Sequence, residues 1–470
     1  METSSTNQEK ILLIKWALSI ILPLIVWFLP LDLPSQLQGY LAITLWALIM
    51  WIFELLDPGL TGTLLCVFYI LFHVSTPQLA FSGWLSSSPW LSLGALIFGT
   101  IMVTTGLARR LTYAILSKTG TSFIGIVFGI LLVCTIINPF IPSATGKLAL
   151  MLPLIIGVCQ VMNIQPKSKE AAVLMIVLFN GIWSSKMAYL TASVDSVILA
   201  SLVESFTGYN ISWSSWFYQM TLPCLLWTVV SSLLAVYTLK PERIYIPKDV
   251  LKDQYKALGS ITAKEIKASI LLVILALALV TDRWHGINPG WTLMVMAGLC
   301  FVPGINLLTT EDFQKKINFP IVFFLASSFA IGSVAGNVGF VKIISDIALP
   351  LLQTLPDYAI SCSVWLLGFL GGLVLSGIGL SAAFTGPISG MLMTMGFDPF
   401  LGAFSLIWGF NLVLFPYQCG PLILVYGFGY VKMSDLLRQM IIRAIVGIIF
   451  FLVVTIPYFK LIGLFDKVVK

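Results

Sequence analysis

Apolar residues along this chain do not recur at the three-to-four-residue spacing of a surface helix. They come as long unbroken runs, near positions 11–30, 38–56, 59–75, 88–106, 122–138, 170–189, 215–239, 267–281, 288–306, 319–336, 359–376, 400–416 and 440–459. A helix of about 20 apolar residues crosses the ~30 Å hydrocarbon core of a bilayer. The pattern therefore predicts an all-α polytopic membrane protein. Several runs are too short or too broken to be simple spans. Two polar segments, GLARRLTYAILSKTG from Gly106 and TTEDFQKKINF from Thr309, mix charges with apolar residues at helical spacing and read as interfacial helices on the membrane surface.

Composition sharpens this reading. Of 470 residues, 58% are hydrophobic and 10% charged, against about 25% charged in soluble domains, and the mean hydropathy is +0.99. The net charge of +6 points to basic cytoplasmic loops rather than to nucleic acid. The loop from Lys240 to Lys267, with Arg243, Lys248, Lys252, Lys256 and Lys264 against Glu242, Asp249, Asp253 and Glu265, is placed in the cytoplasm by its basic excess. METSSTNQEK runs into Ile11–Leu29 with no cleavage pattern, so the first run is expected to be a retained span. Seven scattered cysteines form no CxxC pair and read as packing residues. Two histidines leave little for a metal site, and no nucleophile–base constellation suggests an enzyme.

Three landmarks recur half a chain apart. Thr145-Gly146 recurs as Thr385-Gly386 (385 − 145 = 240), Gly106-Leu107 as Gly339-Phe340 (339 − 106 = 233), and the break at Asn180-Gly181 as Gly420-Pro421 (420 − 181 = 239). The halves read as duplicated. Non-helical backbone at membrane depth persists only where it is buried or lines a wet cavity, so these interruptions mark the candidate site. Asn138-Pro139 and Pro142 to Gly146 precede about 14 apolar residues, too few to cross, which fits a re-entrant hairpin. Gly377-Ile378-Gly379 through Thr385-Gly386-Pro387 is expected to repeat that layout. Helix N-termini at such tips, with hydroxyls of Ser143, Thr145 and Thr385, suit carboxylates or oxyanions.

Charges within spans are functional suspects. Lys147, directly after the first tip, is read as a cation facing an anionic substrate, against snorkelling to the interface. Lys186, past the break, is balanced between the cavity and a structural role. Glu54 and Asp57 read as a cap or interfacial pair. Asp195 is read equally as a proton or cation site and as a helix cap.

The order of short segments AFSGW from Ala80, TGLARRLTY from Thr105, PSATGK from Pro142, YLTA from Tyr189, AAFTG from Ala382 and YQCGPLILVYGFGYV from Tyr417 resembles the divalent anion/sodium symporter family, and more closely its bacterial and plastid dicarboxylate exchangers. The resemblance implies about 11 transmembrane helices, two re-entrant hairpins, a two-fold inverted repeat, and scaffold and transport domains moving as an elevator within a homodimer. On that scheme residues 1–118 are first-half scaffold, 119–239 first-half transport elements, 240–266 the cytoplasmic loop, 267–355 second-half scaffold and 356–470 second-half transport elements.

The family's Ser-Asn-Thr triplets read Ser143-Ala144-Thr145 and Ala383-Phe384-Thr385 here, so both asparagines are replaced. Ala144 and Phe384 offer no oxygen to a hard cation, which sets sodium coupling aside. The implied substrate-binding set is Ser143, Ala144, Thr145, Gly146, Lys147, Asn180, Gly181, Lys186, Thr191, Ala383, Phe384, Thr385, Gly386, Gln418, Gly420 and Pro421. The implied activity is exchange of dicarboxylates such as malate, succinate, fumarate, tartrate or 2-oxoglutarate across a bacterial plasma membrane, with Lys147 and Lys186 supplying positive charge in place of sodium. Sodium-coupled di- or tricarboxylate symport is the alternative.

Overall fold

The computed structural model describes residues 2–53, 55–119, 122–241, 250–340, 343, 346, 354–373 and 377–467. Each apolar run becomes helix, and among the described residues there is no strand. The first half contributes α1 (Glu2–Phe28), α2 (Ser35–Phe53), α3 (Pro58–Leu71), α4 (Ser87–Thr104), α5 (Leu107–Thr119), α6 (Phe123–Ile137), α7 (Ala144–Val161), α8 (Lys169–Trp183), α9 (Val194–Thr207) and α10 (Trp213–Leu239). The second contributes α11 (Ala263–Val280), α12 (Pro289–Leu299), α13 (Phe319–Asn337), α14 (Asp357–Gly371), α15 (Gly377–Thr394), α16 (Phe400–Phe410), α17 (Gly420–Gly427) and α18 (Met433–Phe450), which continues past a π-helical turn into Ile456–Leu461. Among the described residues eight helices, including α1, α4, α8, α10 and α13, are long and apolar enough to cross a membrane.

Unpaired N–H groups at a helix start are costly where water is scarce, and the sequence meets that cost with hydroxyls. Ser122, Ser143, Ser168, Ser193 and Ser212 each accept the N–H three residues on, opening α6, α7, α8, α9 and α10. Asp57 does the same for α3, accepting from Gly59 and Leu60 at 2.9 and 3.1 Å, so its capping reading holds; Glu54 lies outside the described residues. The expectation that the stretch after Gly146 is too short to cross is corrected. Capped by Ser143, α7 runs 18 residues because Lys147 is carried into the protein rather than ending the apolar stretch.

Helices from the two halves pack on one another. α3 lies against α13 and α4 against α12, while α8 packs on α6 and α7, and α16 on α14 and α15. The second pieces cross over, α9 onto α15 and α17 onto α7, and α18 lies along α10. Outward faces stay apolar, as at Leu13, Leu277, Val295 and Val453, as contact with lipid requires. All seven cysteines are free and six are buried, in keeping with a packing role.

Helix α5 is amphipathic as expected, burying Ala108, Thr112 and Leu116. Its buried Arg110 donates to Glu265 at 2.6 Å and to the carbonyls of Leu258, Gly259 and Ser260, fastening the loop before α11. That guanidinium holds the Glu265 carboxyl below its usual range. The TTEDFQKKINF segment forms a short helix, Thr310–Lys316, with no buried residue. There Lys316 and Thr309 hold Asp312 down to about 2. Glu242, Arg243, Lys248 and Asp249 of the basic loop lie outside the described residues, as does most of the segment after Phe340. Gly106 and Gly339 share a left-handed backbone, φ 79° and 80°, which suits glycine.

Candidate functional site

Two helices break inside the protein. The first break opens after Trp183, not at Asn180-Gly181 as the sequence suggested, and closes where α9 begins at Val194. Asn180 and Gly181 stay helical because neighbours hold them: Asn180 Nδ2 donates to Ser231 O at 3.0 Å, and a Cβ on Gly181 would lie 2.9 Å from Cys134 Sγ. The second break runs from Asn411 to Cys419, so Gly420-Pro421 restarts a helix rather than interrupting one.

The freed carbonyls are satisfied by side chains. Asn138, at the end of α6, donates to Ile182 O at 3.3 Å and to Ser185 Oγ. Thr191 donates to Pro139 O at 2.7 Å, tying the first break to the turn before α7. Gln418 ties the second break to the turn after α14, donating to Gly372 O at 2.6 Å while accepting from Leu414 and Phe415 N–H at 2.7 Å each. The breaks also grip each other. Trp183 Nε1 donates to Asn411 O at 3.0 Å, and Asn411 Nδ2 donates back to Trp183 O at 3.2 Å.

Beside the breaks lies a cavity of about 570 Å³. The first residues of four helices line it: Ser143, Ala144 and Thr145 of α7, Ser193 and Val194 of α9, Gly377 and Ile378 of α15, and Cys419, Gly420 and Pro421 of α17. The N-termini of α7, α9 and α17 present N–H groups and partial positive charge, so the cavity has the electrostatics of an anion site. Trp183, Lys186, Asp195 and Gln418 complete the polar wall. The tips of α7 and α17 are adjacent, since a Cβ on Gly420 would sit 3.4 Å from Thr145 Oγ1.

Lys186 and Asp195 are the charged side chains lining the cavity among the described residues, and they pair at 2.5 Å. The Lys186 ammonium also stands 3.4 Å from the Trp183 ring centroid. Asp195 is not the cap of α9, a place taken by Ser193.

Other expected site residues lie elsewhere. Lys147 is fully buried and does not line the cavity; its ammonium donates to Ala192 O at 2.8 Å, stabilising the first break rather than facing a ligand. Gly146 is engaged in the Ser143 cap, and Thr191 is likewise committed to the break. Ala383, Phe384, Thr385 and Gly386 are not at a helix tip. α15 begins at Gly377, so Thr385 lies two turns inside it, buried, and a Cβ on Gly386 would meet the Phe206 ring at 2.1 Å. At the displacement of 233 shared by Gly106 and Gly339, Ala144 at the start of α7 corresponds to Gly377, the first described residue of α15, whereas the Thr-Gly match is displaced by 240.

Sequence reasoning missed Arg443. Buried on α18, it donates to Asn411 O at 3.0 Å, Asn411 Oδ1 at 3.2 Å and Ser184 Oγ at 3.1 Å, a cation at the C-terminal ends of both α8 and α16. A lone arginine in the apolar stretch MIIRAIVGIIFF was its signal. Among the described residues, no three His, Cys, Asp or Glu side chains gather as a metal site.

Residues 10–465 match the family described as the sodium:sulfate symporter transmembrane region. The L-tartrate/succinate antiporter of Escherichia coli is 25% identical over 80% of this chain and 79% of its own. The chloroplast dicarboxylate transporter 1 of Spinacia oleracea is 24% identical over 95% of this chain and 81% of its own. In fold, the chain is similar to the YdaH transporter of Alcanivorax borkumensis, with a TM-score of 0.56 at 12% identity, covering 87% of this chain and 100% of that one. With its long apolar helices and a family match across nearly its whole length, the chain is a multi-pass integral membrane protein and belongs to the sodium:sulfate symporter transmembrane-region family.

Proposed function

We propose that the protein is a secondary transporter that exchanges small dicarboxylates, of the malate, succinate, fumarate, tartrate or 2-oxoglutarate type, across the membrane. The observation that carries this reading is the convergence of three helix N-termini, those of α7, α9 and α17, and Lys186 on one cavity. A dianion there meets positive potential at several points without any one bond being strong. The names of the antiporter and the chloroplast transporter support the substrate class. Exchange rather than sodium symport fits a site whose cations belong to the chain, Lys186 at the wall and Lys147 behind it.

In this reading the broken helices and the hairpins α6–α7 and α14–α15 form one transport domain. Helices α1 to α5 and α11 to α13 form a scaffold against which it slides, in a homodimer. The crossed packing of α9 on α15 and α17 on α7 supports an inverted repeat, because each half then completes the other's hairpin.

The test is uptake of labelled succinate into proteoliposomes, empty or preloaded with unlabelled dicarboxylate, in sodium or choline buffer. Uptake that requires internal dicarboxylate and ignores sodium supports exchange. Uptake into empty vesicles driven by a sodium gradient overturns it in favour of symport, and absence of uptake overturns the substrate class.

A further inference from the structure

The pairing of Lys186 with Asp195 is unusual in its placement. The two residues are nine apart, brought together because the chain doubles back through the first break, and the carboxylate lies at the wall of the cavity rather than behind it. One oxygen, Oδ2, takes the Lys186 ammonium at 2.5 Å. The other, Oδ1, points to the start of α15, 3.7 Å from where a Cβ on Gly377 would be. Asp195 thus stands at the cavity wall between an ammonium and Gly377 of α15, the position beside Lys186 that a ligand carboxylate would seek.

We propose that Asp195 is an internal competitor for the substrate anion: its carboxylate occupies the cationic pole of the cavity, and an incoming carboxylate must displace it from Lys186. The inference rests on the anion-transport reading above and adds what sets the affinity. A carrier must bind its cargo firmly enough to load and loosely enough to release it, and a site of three helix N-termini plus an unopposed lysine would err toward retention. The resident carboxylate weakens binding and then recaptures Lys186 as the cargo leaves, which speeds release.

The experiment compares wild type with Asp195→Asn, purified and reconstituted, by two readouts. One is counterflow of labelled succinate; the other is protection of the detergent-solubilised protein from thermal unfolding by succinate and by inorganic sulfate. Asp195→Asn is expected to lower the half-saturation for succinate about tenfold and to slow maximal exchange several-fold. A purely structural residue would instead weaken binding or lower the rate without tightening it, and that outcome, in protein that elutes as a single species, overturns the proposal.

Lys186→Met/Asp195→Asn, which removes the pair as a unit, is expected to bind more weakly than wild type; affinity equal to that of Asp195→Asn would show that Lys186 is not the pole and also overturn it. Asp195→Ser, well suited to the first turn of a helix, takes the place of the asparagine variant if that one does not purify as a single species. Should wild type show no dicarboxylate counterflow while Asp195→Asn still gains anion protection, the dicarboxylate reading falls and the competitor stands. Equal protection of both proteins by succinate and sulfate sinks the competitor.

Discussion

The two sides of the cavity perform the same task with different chemistry. On the first-half side the break is flanked by Lys147, Lys186 and Asp195, a charged cluster committed to one another and to Ala192 O. On the second-half side the matching positions are apolar: Leu380 stands where Lys147 does (380 − 147 = 233), and Val413 where Lys186 does (413 − 186 = 227, the displacement of the helix ends Trp183 and Phe410). The tie between break and hairpin is present in both, through the Thr191 hydroxyl on one side and the Gln418 amide on the other. Shape is therefore shared between the sides, while the charged side chains that line the cavity, Lys186 and Asp195, belong to one of them. A dianion in such a cavity meets an ammonium at one end and N–H groups at the other, so its two carboxylates are not equivalent.

The sharpest way to break that asymmetry is Lys186→Met, which strips the charged side of its ligand-facing cation and leaves Asp195 at the wall. Proteoliposome uptake is expected to fall by about a hundredfold or more, in line with the several kcal/mol lost when one partner of a buried pair is removed. Retained uptake would assign substrate binding to the N-termini alone.

Next in size is Arg443, the cation that both breaks share. Arg443→Met leaves Asn411 Oδ1 and Ser184 Oγ without the Arg443 donor and Asn411 O with Trp183 Nε1 alone, and a loss of about 3 kcal/mol is expected, seen as a lower midpoint of thermal unfolding in detergent. Arg443→Lys keeps the charge without the fork and should recover only part of that loss. The ties can be ranked directly: Gln418→Met removes three hydrogen bonds and Thr191→Val removes two, the one donated to Pro139 O and the one accepted from Trp213 Nε1, so costs of roughly 3 and roughly 2 kcal/mol are expected. Equal costs would mean that the two sides are not held alike.

Two smaller effects bear on regions away from the cavity. Thr385→Val, deep in α15 where the hydroxyl finds no hydrogen-bond partner among the described residues, should leave half-saturation for succinate within about twofold and stability within about 1 kcal/mol. A large affinity change would return Thr385 to the site.

At the start of α11, Glu265 is held below its usual range by Arg110, so its contribution is complete above the ordinary carboxylate value of about 4 and is lost as pH falls through the lower folded-state value. Limited proteolysis of the segment before α11 should therefore accelerate in acid, and Glu265→Gln should show the faster cleavage already at neutral pH.

Much of the fold was readable in the sequence because the bilayer imposes a length on apolar runs, and each predicted run became helix. The location of the cavity was partly readable: Ser143 to Thr145, Lys186, Gln418, Gly420 and Pro421 all line it. What failed was register. Glycine marks close packing as often as it marks a break, so Asn180-Gly181, packed on Cys134, was mistaken for the interruption three residues downstream. The letters Thr-Gly recur, but the start of α15 is marked by Gly377, and helix boundaries rather than identities set the correspondence. Partners were invisible for a different reason. Lys186 and Asp195 meet only because the helix between them is broken, and Arg443 meets Asn411 across 32 residues, so neither contact follows any helical spacing.

The reciprocal bonds between Trp183 and Asn411 have a consequence for local unfolding. Neither break can fray without stripping partners from the other, since the same two residues supply donor and acceptor to both. The segments 184–193 and 411–419, more than two hundred residues apart in the chain, then form one cooperative unit. Their amides should exchange with solvent deuterium at a common rate, and loosening either segment by mutation should speed exchange in both.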